Sequence, residues 1–266
     1  MRPSKSELIL VIAALLCGRA AAASDAAPVV PAGNLPASQI FEKVRENYAS
    51  LSSYSDQGKI STTMDGVVIT TEFTTRLARP NLYRIEWDRY ANPPSSTDNT
   101  AIRGTWSSGA GDYVQTGLGM LRQPSRDIGF AKVAASSSAG LVAVPGMFFD
   151  AQGSGQPAET INLDRLADDK VNNIECYHLV GELASGETNS FWIGKRDFLI
   201  HQFRTDVSPK VMTAALGGLT GQVWEPMNDF HGFSSIEMFT NIVVNKQFSR
   251  ADFVPSFPLF TRSVYP

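Results

Sequence analysis

The sequence is short of the residues on which much enzyme chemistry is built, with two cysteines and three histidines among 266 residues. Cys17 lies in an N-terminal stretch that reads as removed, so Cys176 stands alone in the mature chain and no internal disulfide is expected. Its apolar neighbours make it a small buried side chain. No H-E-x-x-H, G-x-S-x-G, Walker or dinucleotide glycine pattern occurs, which removes the common signatures of zinc hydrolases, α/β hydrolases and nucleotide enzymes. Cys176 and His178 are two apart and share one face of a strand, a spacing that suits a metal pair or a thiol–imidazole pair. No third ligand accompanies them, and a buried cysteine beside a core histidine accounts for both. Asp168-Asp169, and Asp229 with His231, read as turn residues. The expectation is no enzyme, no cofactor and no metal.

Basic clusters are lacking too. The net charge is −3, and it falls to about −5 once Arg2, Lys5, Arg19 and Glu7 leave with the N-terminal stretch. Phosphate backbones and anionic lipid surfaces both demand clustered Lys and Arg, so nucleic acid is excluded as a partner and an anionic membrane surface is disfavoured. Long hydrophobic runs are also missing. Residues 8–16 (LILVIAALL) are apolar for nine residues, too few to span a bilayer. Arg2 and Lys5 precede that run and Ala20 to Ala23 follow it, which is the plan of a secretory signal peptide cut after Ala22 or Ala23. Leu15-Leu16-Cys17-Gly18 has a weak likeness to a lipoprotein cleavage site, but Leu16 stands where a small residue belongs. The expected product is periplasmic, free of a lipid anchor and without a transmembrane segment.

What is present is a chain able to bury a core, with 43% hydrophobic and 10% aromatic residues. Residues 24–36 are small and punctuated by proline, a flexible leader. Ile40, Val44, Tyr48 and Leu51 then recur at helical spacing, with charged residues between them. From Tyr54 the period becomes two. Residues 59–64 and 67–77 flank Asp65-Gly66 as a hairpin, and 82–88 alternates Tyr83, Ile85 and Trp87 with Arg84, Glu86 and Asp88. A further hairpin turns about 108–111. Residues 117–150 interrupt the β pattern, with a helix expected in 125–139 and a strongly apolar segment at 141–149, either core or lid. Strands resume over 160–166, 174–183, 188–193 and 198–206, and the last clear one is 238–244. Short turns without βαβ alternation require an antiparallel sheet, giving a mainly β (α+β) fold.

Several stretches resemble the bacterial periplasmic lipoprotein-carrier superfamily, the LolA/LolB-like fold. Residues 40–54 look like its opening helix, and Arg79-Pro80-Asn81-Leu82-Tyr83-Arg84 like its RPN-aromatic segment, with Trp87 following. Gly104 to Trp106, Phe191-Trp192-Ile193 before Phe198-Leu199-Ile200, and 240–245 before Phe253 and Pro258 carry the rest. The resemblance implies one domain over 37–266: a strongly curved, incomplete antiparallel β-barrel under an N-terminal helix and a helical lid at about 117–150. A Gly-rich excursion at about 209–235 and a longer loop near 92–99 depart from the carriers. It also implies an apolar cavity for acyl chains, lined by Phe73, Leu77, Tyr83, Ile85, Trp87, Trp106, Val144, Phe148, Phe191 and Ile193. Arg79 takes the place of the arginine that bonds lid carbonyls in closed carriers, a task suited to its five donors. The partners implied are lipid or acylated protein cargo and an envelope docking protein. The alternative is a non-carrier scaffold of the same fold whose sheet is filled by its own helices.

Overall fold

The computed structural model describes residues 35–64, 67–92, 104–116, 119–136, 141–149, 159–211 and 232–255. Contacts divide the chain into Met1–Leu35 and Pro36–Pro266. Leu35 is the one described residue of the first unit, so the signal, Cys17 and most of the leader lie outside the described residues. So do the loop at 92–99 beyond Asn92, the Asp65-Gly66 turn, Asp229, His231 and nearly all of the Gly-rich excursion.

The helical spacing at the start forms α1 (Ala37–Ser50), which buries Ile40, Phe41, Val44 and Tyr48 along one side. It is followed by β1 (Ser53–Met64), β2 (Val67–Ala78) and β3 (Leu82–Asn92). β1 and β2 pair without a break from Ser53↔Ala78 to Met64↔Val67. Short strands β4 (Gly104–Ser107), β5 (Asp112–Thr116) and β6 (Gly119–Gln123) continue the meander. Then come α2 (Arg126–Ser136) and α3 (Ala143–Phe149), which interrupt the sheet midway. Pro145 falls in the first turn of α3, where its missing N–H has no intrahelical partner to lose, so Pro145-Gly146 does not break the segment.

The second half contains β7 (Ile161–Arg165), β8 (Asp169–Val171), β9 (Ile174–Glu182), β10 (Thr188–Gly194), β11 (Ile200–Val207) and β12 (Phe233–Val244). A short 3-10 turn, Arg250–Phe253, closes the described chain. The strands lie in the order β6-β5-β4-β3-β2-β1-β12-β11-β10-β9-β7, with β8 also on β9. Every pairing among them is antiparallel. β1 against β12 joins the two halves, and the path ends on β6 and β7 without closing. Among the described residues the result is an incomplete antiparallel barrel, with one helix before the sheet and two within it.

Three local expectations are corrected. The β pattern does not stop at residue 117, because β6 pairs with β5 from Thr116↔Gly119 to Asp112↔Gln123. As an edge strand with exposed Leu121 it carries no two-residue alternation to read. Asp169 is not a turn residue: it opens β8, accepts a 3.1 Å bond from Trp192 Nε1, and is followed by the turn at Asn172-Asn173, both at positive φ. β12 begins at Phe233 rather than near 238, because its inward residues there are Ser235 and Glu237, not apolar ones.

Candidate functional site

Strand parity decides which side chains share a surface, since neighbours along a strand point to opposite faces. The register aligns Tyr54, Leu77 and Tyr83, then Gly58, Phe73 and Trp87, across β1, β2 and β3, with Ile85 opposite Thr75 between these rows. Phe73, Leu77, Tyr83, Ile85 and Trp87 therefore lie on one face, and all are buried. The same face carries Phe191 and Ile193 on β10. Phe191 meets Phe41 of α1 edge-on at 5.1 Å and Phe203 of β11 at 5.1 Å. This inner face is the one on which the helices pack.

Gly58 lets the row close up. A Cβ there would collide with the Phe73 ring and the Met238 carbonyl, so the ring lies across the glycine.

Trp106 does not belong to this surface. It pairs with Arg84, one residue out of phase with Ile85, and stacks on Tyr113 at 5.7 Å on the opposite face. A single step along a strand reverses the side chain, so an aromatic read from a motif without register is placed on either face with equal ease. Among the ten apolar positions inferred above, Trp106 is the correction.

Val144 and Phe148 are buried on α3. The helix carries only apolar side chains apart from its glycine, and every one of its residues is buried. Phe149 lies edge-on to Tyr83 at 6.4 Å and near Phe130 of α2 at 6.2 Å, while Phe130 meets Tyr83 at 5.1 Å. The floor is thus in direct contact with the chain's own aromatic rings. A groove of about 680 Å³ lies on the other face instead, where Lys59, Glu72, Thr74, Glu86, Asp88 and Met238 line it. Its charged walls are unlike an acyl-chain pocket.

Arg79 gathers three backbone carbonyls. Its Nε donates to Leu51 O at 3.0 Å, and its Nη2 donates to Tyr48 O at 3.2 Å and Phe148 O at 2.7 Å. The guanidinium also sits 4.8 Å over the Phe148 ring. One side chain thereby ties the end of α1, the approach to β1 and the end of α3. A groove of about 250 Å³ between α1 and α3 opens beside it, lined by Glu42, Arg45, Glu46, Ala49, Met147 and Phe148.

Two acids on the inner face escaped the reading of the sequence. Asp56 lies between Tyr54 and Gly58 on the inward parity of β1, and its Oδ2 accepts a 2.8 Å bond from the Tyr54 hydroxyl. Burial pushes its carboxyl up to about 7, against bonds from Tyr54 and Thr75 that favour its charge. Glu237, opposite Ile60, accepts a 3.0 Å bond from the backbone N–H of Leu141, just ahead of α3. Burial pushes it up to about 8, the Leu141 bond lowers it, and the Asp56 charge adds to the rise. The alternation from Tyr54 made Asp56 legible as inward. Glu237 fell outside the strand as read.

The tyrosines beside these acids respond in the same sense. Tyr48 is raised, chiefly by burial, while its oxygen accepts from Ile200 N–H at 3.2 Å. Tyr54 is raised well above the ordinary value by burial and by the Asp56 charge.

Cys176 and His178 do share a face, the outer one. His178 stacks on Trp192 at 4.2 Å, and Cys176 packs with Val171 and Trp192. Burial raises the Cys176 thiol to about 11 and lowers His178. That combination disfavours both a thiolate and an imidazolium. Among the described residues no group of three His, Cys, Asp or Glu side chains could hold a metal ion. Asp168 bridges Lys195 at 2.6 Å and Arg165 at 2.8 Å, and it is held below the usual carboxylate range. Among the described residues no helix is long and apolar enough to cross a membrane.

No family model and no curated protein matches the chain. Several solved structures are similar. The lipoprotein LppX of Mycobacterium tuberculosis is 10% identical, covering 80% of this chain and 98% of its own, with a TM-score of 0.41. LprF of Mycobacterium bovis is 11% identical over 80% and 94%, with a TM-score of 0.43. A LolA superfamily protein of Nitrosomonas europaea is 9% identical over 84% and 99%, with a TM-score of 0.30. Among the described residues, the open antiparallel sheet of twelve strands, with one helix before it and two inserted midway, has the arrangement that the sequence resemblance led us to expect.

Proposed function

We propose that this chain is an exported binding or carrier protein that shelters lipid or lipoprotein acyl chains, in the periplasm, between the inner face of its sheet and its helical cover. The observation that carries the reading is Arg79. Its three donated bonds run to backbone carbonyls at the ends of α1 and α3, which a moving cover would release together. Bonds from a charged guanidinium contribute on the order of 1–3 kcal/mol each, so the three together act as a latch on the cover. The surface beneath is built from Leu77, Tyr83, Ile85 and Trp87, and each methylene of an acyl chain buried there contributes about 0.8 kcal/mol.

The test is to isolate the protein from the envelope of a cell that exports it and identify bound acyl species by native mass spectrometry. Co-purifying lipid is expected. The Arg79→Ala variant is expected to lose exchange protection in α3 and to change its lipid occupancy. An empty protein that also refuses an apolar fluorescent probe, with Arg79→Ala indistinguishable from wild type, overturns the reading.

One observation favours a second reading, a non-carrier envelope module. Phe130 and Phe149 already occupy the floor at Tyr83, as they would in a sheet filled permanently by its own helices. On that reading the probe is refused at every concentration.

A further inference from the structure

A cover that packs on an apolar floor leaves a narrow role for polar groups beneath it, yet two carboxyls are there. Asp56 and Glu237 are 4% and 2% exposed. The Asp56 carboxyl accepts from the Tyr54 hydroxyl at Oδ2 and from Thr75, while among the described residues Glu237 accepts only the Leu141 N–H, at Oε1. Glu237 Oε2 is buried and makes no hydrogen bond among the described residues. A buried acceptor without a donor is destabilising, because its hydration is lost with nothing in return. Both lie on the inner face, Glu237 opposite Ile60 and so four residues along β1 from Asp56, and the Asp56 charge makes Glu237 harder to ionise. Beside Asp56, β12 carries a bulge: Ser55↔Val243 and Gln57↔Thr240 leave three steps on β12 against two on β1. Asn241 takes a positive φ there. The pairing is therefore loosened next to the acid.

The bond to Leu141 places Glu237 at the front of α3, while Arg79 holds its other end at Phe148. When α3 lifts, Glu237 loses its donor and faces whatever replaces the helix, with Asp56 further along the same inner face. A phosphate, sulfate or carboxylate there meets two acids of its own sign. A donor of positive charge satisfies the spare Glu237 oxygen and lowers the cost of ionising both side chains. We propose that Asp56 and Glu237 form a headgroup subsite that selects amphiphiles with an amine-bearing, cationic polar end. This rests on the carrier reading above and names the class of its ligand.

The test uses three probes with one tail and different heads: dodecylammonium, dodecyl sulfate and dodecanol, each below its micellar concentration, with binding read by native mass spectrometry. Wild type is expected to favour the ammonium over the sulfate by at least about tenfold, with the alcohol between them. Asp56→Asn with Glu237→Gln is expected to abolish most of that preference. Glu72→Gln with Asp88→Asn removes the same charge from the opposite face, where the two residues pair, and is expected to keep it. Glu237→Gln alone retains an oxygen for Leu141 and tests the point should the double variant not fold. Equal binding of the three probes, or a preference lost equally in the outer-face control, overturns the subsite and leaves the carrier reading standing. Refusal of all three overturns the carrier reading and the subsite with it.

Discussion

Raising the pH from 5 to 8 should destabilise this fold, and the size of the effect follows from two side chains. Burial lifts Asp56 from an ordinary 3.8 to about 7 and Glu237 from 4.5 to about 8. At about 1.4 kcal/mol per pKa unit, ionising either one costs on the order of 4 kcal/mol more in the fold than in the unfolded chain. The unfolded chain gives up both protons by about pH 5, while the fold keeps them to about pH 7. Their contribution is therefore fully present below about pH 4 and is lost as the pH rises, most steeply near pH 6. Asp168, Asp197 and Asp252 are shifted downward. Their stabilisation is lost only as the pH falls below the ordinary carboxylate range, outside this window. His178, lowered by burial, adds stability as the pH rises through its unfolded value, so the comparison must be between variants. Urea unfolding of wild type and of Asp56→Asn with Glu237→Gln at pH 5, 6, 7 and 8 isolates the pair. The variant, which has no charge to bury, should overtake wild type as the pH rises and be clearly more stable at pH 8. Parallel profiles for the two proteins refute the reasoning.

Gly58→Ala forces a Cβ into the Phe73 ring and the Met238 carbonyl, and backbone cannot yield as a side chain can. A loss of about 1–3 kcal/mol is expected in thermal or urea unfolding, and an unchanged midpoint refutes the packing described at that row. Cys176, with its thiol raised to about 11, should react with a disulfide reagent at pH 7.5 far more slowly in the native protein than in urea. Equal rates would show it to be exposed. Arg79→Ala and Glu237→Leu each remove one anchor of α3, so each should speed amide exchange in Ala143–Phe149. Their effects on the logarithm of the exchange rate should add, because the two bonds lie at opposite ends of the segment and share no partner; if either leaves exchange there unchanged, α3 is not held at both ends.

The parts of the fold that the sequence revealed are those where one face is apolar and the other wet. Tyr83, Ile85 and Trp87 alternate with Arg84, Glu86 and Asp88, and that strand is observed over Leu82–Asn92. β6, β8 and the first half of β12 were hidden for a common reason. An edge strand, a three-residue strand and a strand with Ser235 and Glu237 inward give no hydrophobic period. Trp106 shows a different limit. Its strand was legible and its face was not, because β4 is four residues long and its phase against β3 is set by pairing. Asp56 was legible in parity yet passed over, since an acid among Tyr54, Gly58 and Ile60 reads as an exception to a pattern rather than as part of a site.

The balance between cover and cargo can be set out in magnitudes. Lifting α3 exposes Val144, Met147, Phe148 and Phe149, all buried, at about 1.5–3 kcal/mol each. That amounts to roughly 6–12 kcal/mol of apolar burial. An acyl chain of about fifteen methylenes returns about 12 kcal/mol on entering the same surface. The apolar exchange therefore runs from neutral to about 6 kcal/mol in favour of the loaded form. The polar contacts set against it are the three carbonyl bonds of Arg79 and the Leu141 bond of Glu237, each contributing on the order of 1–3 kcal/mol because one partner is a charged or ionisable group. Arg79 favours the closed cover whatever arrives. On the proposed subsite, Glu237 with Asp56 further along the face would discriminate, because a cationic donor offsets the carboxylate charge that an anionic head would oppose. If the proposed carrier reading holds, the aromatic floor makes binding feasible, and the two carboxyls that break its pattern would decide what is bound.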